Sequence, residues 1–256
     1  MAIKLSVLFF TPLLAGFLIF FFTGVKSATF RLILVFAGAY LFGITVVHIL
    51  PELYLKGSDT ELIGVFVLGG FFLQQFLEYY TSGIEHGHLH GHSHHTHHHS
   101  ETPHHPATVS ALVLLVALCV HAFLEGAMLA EPPAGSDLSR DVNAILLGIA
   151  LHRAPAAFAL MIVLTAQLHS KRHAVPYLIV FSLAAPVGLL VSTEFVQSEI
   201  LNQRGLVFLY ALVSGNFLHI STTIVFESSP EHRFNARKLA VAIAGALLAV
   251  AVEYMI

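Results

Sequence analysis

Eight stretches of this chain are apolar for about 20 residues or more, and that pattern leaves few folds open. They lie near 4–22, 29–53, 61–80, 107–130, 141–168, 174–195, 204–226 and 237–256. A helix rises about 1.5 Å per residue, so about 20 apolar residues cross a hydrocarbon core of about 30 Å. The breaks are short and polar, at 24–27, 56–60, 132–140, 170–173, 197–203 and 228–235, with one longer connection at 81–106. In lipid every backbone N–H and C=O must be satisfied internally, and runs of this length select helices over strands. Composition agrees: 56% of residues are hydrophobic and 11% are charged, where soluble domains carry about 25%. The mean hydropathy is +0.80. The expected fold is an all-α integral membrane protein with eight transmembrane helices and a disordered His-rich loop between the third and fourth. Residues 1–80 would hold spans one to three, 81–106 the loop and 107–256 spans four to eight, in one membrane domain.

A formal net charge of -3 without a basic field gives no electrostatic footprint for nucleic acid. The lone Cys119 excludes an intrachain disulfide and a multi-cysteine metal site. The first apolar run has no small-residue cleavage pattern after it, so it is read as a retained helix. The loops after spans one, three, five and seven hold Lys26, Arg31, Lys171, Arg172, Arg233, Arg237 and Lys238, against Lys4, Lys56, Arg140 and Arg204 on the other side. Basic residues favour the cytoplasmic side. This bias places both termini outside and the 81–106 loop in the cytoplasm, in a plasma or inner membrane.

That loop contains eleven of the 18 histidines: His86, His88, His90, His92, His94, His95, His97, His98, His99, His104 and His105. Neutral imidazole is a ligand for zinc, copper, iron and nickel. The Gly, Ser, Thr and Pro between them are those of a segment disordered without metal. An expression tag would be terminal and unbroken. The loop therefore points to metal handling, though not by itself to metal crossing a membrane.

Ionisable groups inside a span cost about 2.5–3.5 kcal/mol each on insertion scales, so each is a functional candidate. The fourth span reads CVHAFLEGAML, in which His121 and Glu125 share one helical face and can reach one cation. The plainer reading is a His–Glu pair that holds the bundle together. The fifth reads LHRAPAAFAL. There Pro155 cannot donate to the Leu151 carbonyl, so a kink and a free oxygen are expected beside His152. Arg153 must face a polar cavity or a carboxylate; Glu125 on a packed neighbouring helix is the obvious partner, with Glu52 left open. In the second span His48 and Glu52 repeat the four-residue spacing around Pro51, as an entrance contact or an interfacial pair. The seventh is unusually polar, with Asn216, His219, Ser221, Thr222 and Thr223. Its hydroxyls are expected to bond the preceding turn, and His219 is a pathway candidate. Gln74, Gln75 and Glu78 near the end of the third span read as snorkelling side chains. Cys119 reads as packing.

HAFLEG at 121–126, HRAPAAFAL at 152–160, HILPE at 48–52 and the histidine loop resemble the ZIP metal transporters along essentially the whole chain. Many members carry an HNFxDG-like fourth helix and an HEIPHE-like fifth helix. Here Ala122 stands for the Asn and Glu125 for the acidic residue, while Arg153, Ala156 and Ala157 stand for Glu, His and Glu. The pattern is similar to a branch with an HxxFEG-like fourth helix and a basic residue after the fifth-helix His. In that branch Lys would replace one of two metal ions. By resemblance, Arg153 is a built-in cation and one site survives, formed by His121, Glu125 and His152. The resemblance further implies two groups of spans that move relative to each other, spans two, four, five and seven lining the pathway, metal movement into the cytoplasm and often a homodimer.

The reading is a divalent metal transporter with the metal ion as substrate, the lipid bilayer as its surroundings and no cofactor. Zn2+ leads, and Fe2+, Mn2+ and Cd2+ suit the same ligands. A membrane-anchored metal sensor or buffer built on the loop is the alternative. A zinc hydrolase using the same three residues is less favoured, because they lie deep in apolar spans. Deleting 86–105 separates the first two: a transporter keeps vectorial metal uptake into sealed vesicles, whereas a buffer loses its metal response.

Overall fold

The computed structural model describes residues 1–21, 27–57, 59–81, 111–132, 142–227 and 236–255, and these contain helices and no strand. The histidine loop lies outside the described residues. The helices are α1 (Ala2–Phe17), α2 (Ser27–Ile44), α3 (Leu50–Lys56), α4 (Thr60–Thr81), α5 (Ala111–Ala127), α6 (Val142–Leu168), α7 (Lys171–Gln197), α8 (Gln203–Thr222) and α9 (Ala236–Met255). A 3-10 turn, Leu18–Phe20, extends α1. A π segment, Thr45–Ile49, joins α2 to α3, and a second, Thr223–Glu227, follows α8.

By length and composition, six stretches are fit to cross a membrane: Ala2–Phe20, Ala28–Leu55, Thr60–Tyr79, Val142–Leu168, Lys171–Gln197 and Gln203–Val225. Leu112–Ala127 is apolar but shorter, and α9 is not among the six. The expected eight spans stand at six by this measure among the described residues.

Proline acts differently in two of the rods. Pro51 lacks the N–H that would bond the Val47 carbonyl, and the backbone widens into the π segment just before it. α6, in contrast, is helical on both sides of Pro155, with no π segment beside the proline. One missing N–H removes a single bond, and the buried residues on both sides of Pro155 keep the rod packed.

The helices pack as two groups of four rods. α1, α5, α6 and α7 form one, through α1 on α6 and α7 and α5 on α7; α2 with α3, α4, α8 and α9 form the other, through α4 on α8 and α2 on α9. Helices in lipid gain no hydrophobic drive from meeting one another, so close packing must hold them. Glycine supplies it. A Cβ on Gly126 of α5 would overlap the Ala185 carbonyl of α7, and one on Gly188 of α7 would overlap the Phe123 carbonyl of α5. α4 and α8 repeat the reciprocity: Gly70 lies against the Leu212 carbonyl and Gly215 against the Val67 carbonyl.

The two groups meet where α2 lies along α6 and α4 along α5. Two hydroxyls bond across this seam, Tyr40 to the Ala144 carbonyl and Tyr210 to the Ala130 carbonyl, each at 3.0 Å. At the face bearing Met1, Lys4 donates to Glu131 at 2.8 Å and holds that carboxyl below its usual range. Arg204 pairs with Asp59 at the start of α8. The core is split into two apolar clusters. One, with Leu53, Ile63, Leu129, Ile145 and Leu206, fills the Met1 end. The other, with Leu34, Leu114, Leu164, Leu178 and Ile224, fills the opposite end.

Gly70→Ala forces a methyl group into the Leu212 carbonyl. It is expected to destabilise the protein by about 1–3 kcal/mol, seen as a lower thermal midpoint in detergent. An unchanged midpoint would show that α4 and α8 have room to separate.

Candidate metal site

Between the two apolar clusters lies a buried polar set. One turn of α5 places His121 and Glu125 on the same face, with Nε2 of the imidazole 3.1 Å from Oε1 of the carboxylate. α6 brings His152 against them, its ring centroid 5.9 Å from that of His121 and nearly perpendicular to it. One ligand-type atom from each of the three lies within 4.8 Å of the others. Their exposures are 3% for His121, 0% for Glu125 and 1% for His152, so protein encloses the set.

Arg153, 1% exposed, is the next residue on α6. The sequence left Glu125 and Glu52 open as its partner, and the structure brings it to Glu125. Its Nη1 donates to Oε2 at 3.2 Å, and its Nη2 donates to the Phe181 carbonyl on α7 at 3.1 Å. The guanidinium also sits 4.6 Å above the centre of the Phe181 ring. A helix carbonyl has a second lone pair, which lets Phe181 accept this bond without leaving its helix. The carboxylate is thus divided, with Oε1 turned to the histidines and Oε2 held by the guanidinium. A cation placed among the three would meet two imidazole nitrogens and one carboxylate oxygen, leaving a position for water or a fourth ligand. The methyl groups of Ala122 and Ala156 are buried beside these residues and offer no donor atom for a second ion.

The remaining candidates are not members of this three-ligand group. His48 falls in the π segment and is half-buried; Glu52 on α3 is nearly buried. The wider turn between them alters the simple four-residue stacking that an α-helix would give. His219 is buried on α8, edge-on to Phe71 at 4.8 Å, with Nδ1 3.4 Å from Oε2 of Glu78. Glu78 therefore corrects the snorkelling reading by turning to His219 of α8, and Gln74 is fully buried. The signal was present as a four-residue polar spacing on an apolar helix, the same that marks His121 and Glu125. Thr222 and Thr223 bond the preceding turn as expected, Thr223 to the His219 carbonyl at 2.9 Å. Cys119 lines an apolar groove between α5 and α7 with Val116, Phe123 and Val187. The eleven loop histidines lie outside the described residues.

A bundle of helices long and apolar enough to cross a bilayer defines an integral membrane protein, and the enclosed carboxylate and two imidazoles are its candidate cation site. The sequence model of the family described as ZIP Zinc transporter matches residues 81–253, and the chain belongs to that family. Membership sets aside the hydrolase reading. The chain is similar to "Zinc transporter ZIP9-A" of Xenopus laevis, 33% identical over 126 residues, which cover 46% of this chain and 40% of that protein. It is also similar to "Zinc transporter ZIP9" of Macaca fascicularis, 35% identical over 115 residues, covering 42% and 47%. The matched stretch spans less than half the length of these relatives.

The Glu125–Arg153 pair makes a stability prediction. Glu125→Leu leaves a buried guanidinium without its counter-charge and should cost about 3–5 kcal/mol. Adding Arg153→Met should recover most of that loss. Thermal unfolding in detergent checks both; additive losses would mean that the two charges are not coupled.

Proposed function

We propose that this chain moves divalent metal ions across a membrane, zinc foremost, through a site formed by His121, Glu125 and His152. The convergence of their three ligand atoms within 4.8 Å inside apolar helices carries the reading. Buried ionisable groups in a span are costly, and a cation pathway gives them a use. The names of the relatives favour zinc, and imidazole with carboxylate suits it. Fe2+, Mn2+ and Cd2+ are the competitors to test beside it.

The mechanism follows from charge. Metal approaches past Glu52 and His48, loses water and is held by the three ligands. Two neutral imidazoles and one carboxylate give a shell of net −1, and Arg153 cancels that charge. As a built-in cation it keeps affinity moderate and release quick. His219 lies further along the route, and the loop histidines receive the ion. Uptake runs into the cytoplasm with both termini outside, the side chosen by the Lys/Arg bias. A homodimer is part of this reading through the family resemblance, with chemical cross-linking in membranes as its check.

The decisive experiment follows zinc entry into sealed vesicles with an internal fluorescent indicator. Wild type should show saturable entry and His121→Ala should lose it. Wild type without entry, but with zinc still bound, would favour the sensor or buffer. Arg153→Asp should change both transport rate and metal dependence; an unchanged variant would refute the built-in cation. Ligands must be unprotonated to bind metal, so uptake should weaken as the pH is lowered and the imidazoles become protonated.

A further inference from the structure

Asn216 on α8 is fully buried, and neither its Oδ1 nor its Nδ2 has a hydrogen-bond partner among the described residues. Buried amides in native proteins are almost always paired, and an unpaired one needs a reason. A shift of the helix backbone does not supply it, because the preceding Gly215 leaves no room for a Cβ between α8 and the Val67 carbonyl and Phe71 amide of α4. That contact fixes α8 where Asn216 begins.

Its position is informative. Asn216 and His219 are three residues apart on one side of α8, and His219 leads on to Glu78. α6 and α8 both start at the Met1 face. At about 1.5 Å per residue, His152 lies about 15 Å below the start of α6, and Asn216 and His219 lie about 20 and 24 Å below the start of α8. Asn216 thus sits about one turn deeper than His152 and about one turn short of His219. It belongs to the helix group that does not carry the three-ligand site.

We propose that Asn216 is a waypoint for the cation, offering its amide oxygen to the ion or to water on the ion as it passes from the His121–Glu125–His152 site toward His219. The proposal rests on the transport reading. A neutral amide suits such a step, since it can replace a hydration water without holding a divalent ion as a carboxylate would. An unsatisfied amide is then a functional cost carried by the resting fold.

The test uses full-length protein in vesicles with zinc as the probe, alongside thermal unfolding in detergent. Asn216→Leu has nearly the same volume and removes both orphan groups, so its midpoint should rise while the rate of zinc entry falls about tenfold. Asn216→Asp should bind zinc more tightly and release it more slowly, lowering both KM and maximal rate. Wild-type entry that is sensitive to His121→Ala, together with an unaltered Asn216→Leu rate, overturns this inference alone. A lower Asn216→Leu midpoint with wild-type kinetics in Asn216→Asp also overturns it, by showing a structural amide. A wild type that moves no zinc overturns both this inference and the transport reading.

Discussion

One carboxylate organises the centre of this molecule. Glu125 has no contact with solvent, and its two oxygens face different partners, His121 on one side and Arg153 on the other. In a low-dielectric interior neither charge is tolerable alone. The pair therefore fixes the relative placement of α5 and α6, and the guanidinium's bond to Phe181 adds α7. The reciprocal glycines of α5 and α7 serve the same end, because Gly126 directly follows Glu125 and seats it against the neighbouring backbone.

This arrangement explains how a site can tolerate a small ligand set. Only one carboxylate oxygen faces the histidines, so charge around a bound cation is limited by geometry as well as composition. The methyl groups of Ala122 and Ala156 leave no donors for a neighbouring ion. The side chain of Arg153 takes up charge balance with five N–H donors of fixed geometry, which a free ion would not provide.

Much of this was legible in the sequence, for identifiable reasons. Apolar runs and their polar breaks locate the rods because bilayer thickness sets their length. His121, Glu125 and His152 stand out because ionisable groups are rare in such runs. Glu125 was the obvious partner of Arg153 from the sequence, but Glu52 has the same chemistry and only packing chooses between them. The Glu78–His219 contact was missed because it joins α4 to α8, distant in sequence. Gly126 is visible in its motif, but its counterpart Gly188 has meaning only once α5 is known to lie on α7. The continuity of α6 through Pro155 likewise depends on neighbours packed against the buried residues on both sides of it.

The carbonyl-deep glycine crossings all fall within one helix group or the other, while the seam between groups is joined by side chains and two tyrosine bonds. Every charged member of the site, with the carbonyl that anchors its arginine, belongs to a single group. If that group slides along the seam, the empty site travels as an electrically neutral body, Glu125 offset by Arg153. Loaded with a divalent ion, the same body carries two positive charges. A membrane potential acts on each charge with about 2.3 kcal/mol per 100 mV. On the proposed transport reading, a membrane potential would thus act on the loaded stroke and leave the empty return untouched, a rectifier made from one salt bridge.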